Sequence, residues 1–213
     1  MRIIAISDTH NQYNKLDIPD GDVFIHTGDI DIYSDSEELK EFNNWLGTLP
    51  PLMYKIVVAG NHDMHLERLG YRKTQRILTN ATYLYNSGIT IGGVKFWGSP
   101  FSKLFGNWAF MRATEGMKEI WNDMPEDLDV LITHGPSYSI LDTCYYPVTH
   151  NVGCIELLKA VELKKPRVHI VGHIHESYGR TENCFNVSVM DENYQLVNKP
   201  TVIDYCPMSR EIK

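Results

Sequence analysis

Five short stretches of the chain are apolar at nearly every position instead of alternating with polar residues: RIIAIS (2–7), DVFIHT (22–27), YKIVVA (54–59), DVLIT (129–133) and RVHIV (167–171). Runs of this length rich in Val and Ile read as strands covered on both faces, the pattern of a parallel sheet enclosed by other layers. Helical periodicity falls between several of them. Residues 36–46 place Leu39, Phe42, Trp45 and Leu46 on one face, with Ser34 and Glu37 as a capping box in front and Gly47 as the stop. Residues 152–164 repeat the pattern with Val152, Ile155, Leu158 and Val161 and end before Pro166. Between these helices, TYLYNSGITIGGVKFWGSP reads as a three-stranded meander with turns at Ser-Gly and Gly-Gly, and two more strands are expected near 185–190 and 200–205. The result is an α/β layered architecture with mixed sheets.

Composition narrows the class. With 213 residues, 43% of them hydrophobic, and no internal repeat or linker, the expectation is one domain spanning 1–213. The formal charge is −7, from 27 acidic against 20 basic residues, which argues against polymeric nucleic acid and anionic membranes as general partners. No stretch has the length of a signal-peptide core or a membrane span, so a soluble, unexported, cytoplasmic chain is expected. Cys144, Cys154, Cys184 and Cys206 form no Cys-x-x-Cys pair and read as reduced structural thiols. The sequons at Asn80 and Asn186 then read as chance matches.

The polar residues that follow the strands carry the chemistry. Asp8 and His10 follow the first, Gly28 and Asp29 the second, and Gly60, Asn61 and His62 the third. His134 and Gly135 follow the fourth; Gly172, His173 and His175 follow the fifth. Parallel strands of an α/β sheet share one carboxyl edge, and ligands collect there. Taken singly, each of these motifs reads as a solvated turn or a hydrogen-bonded histidine; one shared site explains all of them together. Imidazole, carboxylate and an amide carbonyl without thiolate suit Mn, Fe, Zn or Mg, and so many candidates suit two ions better than one tetrahedral ion. The neighbouring glycines fit a backbone that must adopt conformations other residues resist.

The motifs DTH, GD, GNHD, THG and GHIH, in this order from Asp8 to His175, resemble the calcineurin-like metallophosphoesterases. The stretches WGSPFSKLFGNWAF, DVLITHGPS, NVGCIELL and GHIHESYG are similar to the small metallophosphoesterase-domain-containing branch, known in animals from brain and fetal-brain proteins with phosphodiesterase activity. Ser137 departs from that branch, where a second Pro is common, and His173 is retained where some animal members lack it. The resemblance implies a four-layered α/β/β/α sandwich with two mixed sheets. It also implies two divalent ions, with Mn the expected choice in vitro. Asp8, His10, Asp29 and His175 would hold one ion, and Asp29, Asn61, His134 and His173 the other. Asp29 would bridge them together with a hydroxide that attacks phosphorus, and His62 would be the general acid, with Asn61 and Asp29 beside it in the catalytic set.

Two ions about 4 Å apart acidify a shared water and clamp phosphoryl oxygens, while protonation of the departing alkoxide is left to a side chain titrating near neutrality. The substrate expected on this reading is a small phosphodiester, cyclic nucleotides included. No GDxxDRG motif of the protein phosphatases is present. The alternatives are a phosphomonoesterase or phosphoprotein phosphatase, a nuclease, and a non-catalytic metal-binding scaffold. Of the other histidines, His26 and His169 read as packed core residues, His65 as the start of a helix, and His150 as ambiguous in the loop CYYPVTHN. Asp31 and Asp63 are both candidates to orient His62. Among Phe101, Phe105, Trp108 and Phe110, one or two are candidates for an apolar wall that stacks a nucleobase.

Overall fold

The computed structural model describes residues 1–145 and 148–213; Tyr146 and Pro147, in the loop containing His150, lie outside the described residues. The first part of the chain forms β1 (Arg2–Ile6), β2 (Val23–His26), α1 (Ser36–Thr48), β3 (Tyr54–Val57), α2 (Met64–Leu69) and α3 (Tyr71–Ile77). Next come β4 (Thr82–Tyr83), β5 (Ser87–Ile91), β6 (Val94–Ser99), β7 (Ser102–Lys103), β8 (Met111–Arg112) and α4 (Thr114–Asn122). The last part holds β9 (Val130–Thr133), β10 (Thr143–Cys144), β11 (His150–Asn151), α5 (Ile155–Lys164), β12 (Val168–Val171), β13 (Gly179–Arg180), β14 (Cys184–Asn186), β15 (Thr201–Cys206) and β16 (Glu211–Ile212). The five apolar runs are thus β1, β2, β3, β9 and β12.

Two six-stranded mixed sheets result, ordered β16-β15-β1-β2-β3-β4 and β13-β14-β12-β9-β6-β5. In the first, β1 to β4 run parallel and β15 and β16 join antiparallel. In the second, β14, β12, β9 and β6 are parallel, with antiparallel strands at both edges. Alternation along each strand sends side chains both ways. Ile3, Ala5, Val23, Ile25 and Ile56 meet Phe96, Val130, Ile132, Val168 and Ile170 in a core between the sheets. The opposite faces, Ile4, Phe24 and Val57 on one side and Trp97 and Leu131 on the other, are covered by Leu39, Phe42 and Leu46 of α1 and by Met117, Trp121, Leu157 and Ala160 of α4 and α5. This is the four-layered α/β/β/α sandwich. Beyond the ends of β1 and β14 the sheets are joined directly, with Ser7 N–H donating to Val187 O (3.0 Å) and Val189 N–H to Ser7 O (3.0 Å).

Several local expectations are corrected. The capping box lies one residue later than Ser34 and Glu37: Asp35 accepts from the N–H groups of Glu37 and Glu38, and Glu38 reaches back to the N–H groups of Tyr33 and Ser34. An aspartate competes well with serine for this position because its charged oxygen also faces the positive end of the helix. Gly47 does not end α1, which runs on to Thr48. In α5 the buried face is Leu157 and Ala160, while Ile155 is exposed; α4 is the helix packed against α5. The meander is also divided. Only β5 and β6 form a hairpin, around Gly92 and Gly93; β4 pairs parallel with β3 in the other sheet, and Ser87 and Gly88 lie within β5. Three successive short strands carry no signal for a switch of sheet.

Candidate active site

The strand ends converge on one edge. Asp8 is fully buried beneath β1, its Oδ2 accepting from Ser188 Oγ (2.6 Å) and its two oxygens from the N–H of His173 (3.1 and 3.0 Å). His175 Nε2 stands 3.5 Å from Asp8 Oδ1. On the neighbouring strand, Asp29 Oδ1 accepts from the N–H of His62 (2.8 Å) and lies 3.3 Å from His134 Nε2. His134 Nε2 is in turn 2.9 Å from Asn61 Oδ1. Candidate donor atoms of Asp8, His10 and His175 all lie within 4.8 Å of one another, as do those of Asp29, His134 and His173. His10, Asp31 and His62 form a third such group that overlaps the first. All seven expected ligands are therefore brought together, and His62 with them.

Imidazole orientation is fixed from behind. His134 Nδ1 donates to Thr27 O (3.0 Å) and His175 Nδ1 to Asp191 O (2.8 Å). A carbonyl only accepts, so Nδ1 carries the hydrogen and Nε2 faces the carboxylates, the arrangement common to metal-binding histidines. His10 Nε2 is buried and makes no hydrogen bond among the described residues. An orphaned buried nitrogen is costly unless something else takes its lone pair. Together with the donor set and spacing, it shows that these residues fit divalent cations.

Electrostatics point the same way. Burial opposes ionisation of Asp8, but the hydrogen bond and charge of His175 hold its carboxyl well below the usual range. Burial likewise opposes protonation of His134 and His175, yet Asp29 raises the first to about 9 and Asp8 raises the second to about 9. Each carboxylate is thus balanced by one imidazolium, a place that a cation can take. Burial, reinforced by the charge on His134, pushes His173 down to about 3, leaving a neutral donor.

The backbone is bent sharply at these positions. Asp8 (φ 56°), His10 (39°), Asp29 (54°), Asp31 (79°) and His173 (70°) all occupy the left-handed region without being glycine, a costly state that clusters at functional sites. The glycines beside them serve two different needs. Gly28 has the expected positive φ of 116°. Gly172 has no such angle and is required by space: a Cβ there would lie 2.0 Å from Ser7 Oγ and 2.5 Å from Asp8 Oδ2. Gly172→Ala is therefore expected to cost about 1–3 kcal/mol, roughly 2–12 °C in Tm, and to displace Asp8. Thermal melts with and without added Mn would check both, since the variant should gain less stability from the ion than the parent does.

A pocket of about 290 Å³ opens over these groups, lined by His10, Asp29, Asn61, His62, His173 and His175 together with Phe105, Trp108, Glu176, Glu192 and Tyr194. Trp108 stacks on His62 (4.5 Å between ring centroids, 25° between planes), and Phe105 stands 5.4 Å from His173. Both are substantially exposed, whereas Phe101 and Phe110 are buried in the core, so the aromatic cluster divides evenly. Asp31 Oδ1 lies 3.8 Å from His62 Nδ1, within ion-pair reach. Asp63 instead accepts from the N–H groups of Asp31, Ile32 and Gly60 and holds the Asn61–His62 turn in shape. Of the two candidates, Asp31 is the one that faces His62. His26 and His169 are buried and bonded to Thr9 (2.9 Å) and Thr133 (2.8 Å), as expected of core residues. His65 is half-buried at the start of α2 and meets Ser36 Oγ at 3.0 Å. His150 is exposed and borders a neighbouring cavity rather than this pocket.

Sequence reasoning missed Ser188, Glu192 and Tyr194. Tyr194 meets the rings of His10 (4.7 Å) and His175 (5.5 Å) edge-on. The signal lay in topology: β14 is parallel to β12, so the segment after it must also emerge at the site edge.

The chain resembles known proteins along most of its length. Residues 1–177 match the calcineurin-like phosphoesterase family model. Metallophosphoesterase domain-containing protein 1 of Homo sapiens is 39% identical over an alignment of 231 positions, covering 95% of this chain and 70% of that protein. A UPF0046 protein of Caenorhabditis elegans is 38% identical over 224, covering 97% and 76%. Among solved structures, TT1561 of Thermus thermophilus superposes with a TM-score of 0.62 at 12% identity, over 100% of this chain and 96% of that one, a likeness of fold alone. Strand-end carboxylates and imidazoles gathered in one pocket, and matches of this extent, have one common explanation: the chain belongs to the calcineurin-like phosphoesterase family, whose chemistry is metal-dependent phosphoester hydrolysis.

Proposed function

We propose that this protein hydrolyses small phosphodiesters, cyclic nucleotides among them, with two divalent ions held by Asp8, His10, Asp29 and His175 and by Asp29, Asn61, His134 and His173. The observation that carries this reading is the adjacency of two three-residue donor groups to His62, with members of each group lining the same pocket as His62. Bound there, the ions would supply Lewis-acid polarisation of the phosphoryl group and an acidified water. The chain's own residues would do the rest. Asp29 would serve both ions and, accepting from His62 N–H, would fix the general acid beside them. His62 would deliver its proton to the leaving oxygen, oriented by Asp31 at its Nδ1 and held in plane by Trp108. Glu176 and Glu192 line the pocket, and among the described residues no Arg or Lys lines it with them. A dianionic monoester is less favoured in such surroundings than a monoanionic diester.

The test is metal analysis of the purified protein paired with turnover of 4-nitrophenyl phosphate, bis(4-nitrophenyl) phosphate and cyclic nucleotides in the presence of Mn. Diester turnover exceeding monoester turnover supports the reading. The reverse order would make the protein a phosphomonoesterase, and bound metal without turnover would make it a scaffold. Trp108→Ala is expected to raise KM for nucleotide esters by about 5–150-fold, the cost of losing one base-stacking surface of ~1–3 kcal/mol. Its KM for an alkyl diester should change little, and steady-state kinetics on both substrates would check the difference.

A further inference from the structure

Beside the metal pocket lies a second, larger cavity of about 510 Å³, within the ~300–1,000 Å³ range of sites that enclose whole small molecules. Phe101, Leu104, Trp121, Val152, Leu157 and Ile174 contribute to its walls, and polar side chains are in the minority. It shares Phe105, His173 and Glu176 with the metal pocket, so the two adjoin across these side chains. His62 and Trp108 line only the smaller one.

That division has a chemical meaning for a diester. When water adds to phosphorus, the P–O bond to one alcohol breaks and that oxygen takes a proton from His62. The proton released by the water returns to solvent, which restores His62. The other alcohol remains esterified on the product. The leaving oxygen must come within hydrogen-bond reach of the general acid, so the arm leaving past His62 lies in the smaller pocket. The second arm has an apolar space to enter, on the far side of His173 and Phe105. We propose that this cavity binds the retained ester arm, and that the preferred substrates are acyclic phosphodiesters carrying one bulky, apolar alkyl or aryl alcohol. This rests on the phosphodiesterase reading above. A cyclic diester ties both arms into one ring and leaves the cavity unfilled. Leu104, 52% exposed, and Phe105, 60% exposed, place apolar surface along the cavity and suit entry of such a group.

The experiment holds the leaving group constant. With Mn-loaded protein, kcat/KM is compared for methyl 4-nitrophenyl phosphate and octyl 4-nitrophenyl phosphate, and the octyl ester is expected to be favoured by roughly 100-fold from buried methylenes. Val152→Trp, which fills the cavity, should bring that ratio close to one while leaving the methyl ester's rate unchanged. Leu104→Asp, on a half-exposed position, should lower only the octyl rate and guards against misfolding of the first variant. Equal rates for the two esters in the parent protein, or a ratio indifferent to both variants, would overturn the proposal. If neither ester turns over, the diesterase reading itself has failed. The cavity is then judged by calorimetry with octyl phosphate and methyl phosphate: a comparable affinity preference lost in Val152→Trp supports it, and equal affinities reject it.

Discussion

Replacing Asp29 with asparagine is expected to strip both cation positions and abolish turnover. The substitution keeps the shape and the acceptor that His62 N–H uses, but removes the buried negative charge facing His134. Loss of an outer partner of a metal ligand commonly costs ~10–100-fold in affinity. Loss of a charge proposed to be shared by two ions should exceed that at both sites, and kcat/KM should fall by at least ~10³-fold. Metal analysis by mass spectrometry separates the outcomes. Fewer than one ion retained per chain agrees with a shared carboxylate, whereas one full site would show that Asp29 serves a single ion.

The second large effect concerns His62. His62→Ala should leave metal content and Tm close to those of the parent, because the side chain is partly exposed and its backbone N–H, not its ring, bonds Asp29. Turnover should drop by roughly 10²–10⁴-fold for esters of ordinary alcohols, the usual contribution of a positioned acid. The drop should be much smaller for 4-nitrophenyl esters, since nitrophenolate departs without needing a proton. That dependence on the leaving group is a signature that a merely structural role does not produce. Asp31→Asn should reproduce it in weaker form, by about 10-fold.

Much of this site's geometry is legible in the sequence. The β-branched runs identify the parallel strands because burial on both faces leaves no polar alternation, and parallel strands necessarily bring their C-terminal ends to one edge. Asp8, Asp29, Asn61, His134 and His175 therefore meet although they are spread across the sequence. What was hidden depends on side-chain direction and on which sheet a short strand joins. Nothing local distinguishes Asp31, which faces His62, from Asp63, whose carboxylate holds backbone N–H groups. Burial pushes that Asp63 carboxyl up to about 7. Tyr194 was invisible for a related reason: its loop follows a strand of only three residues, too short to show a periodicity. The division of β4 from β5 was equally unreadable, because a crossing between sheets leaves no mark on composition.

The left-handed conformations of Asp8, Asp29 and His173 carry a wider consequence. These residues are held in shapes that their own side chains disfavour, and only the surrounding framework keeps them there. Glycine at such a position relaxes the chain but deletes the donor. Selection for heat resistance alone should therefore drift toward Gly or Asn at these three positions and silence the protein, whereas selection that also demands catalysis must find its gains elsewhere, in the helical layers and the interior between the sheets.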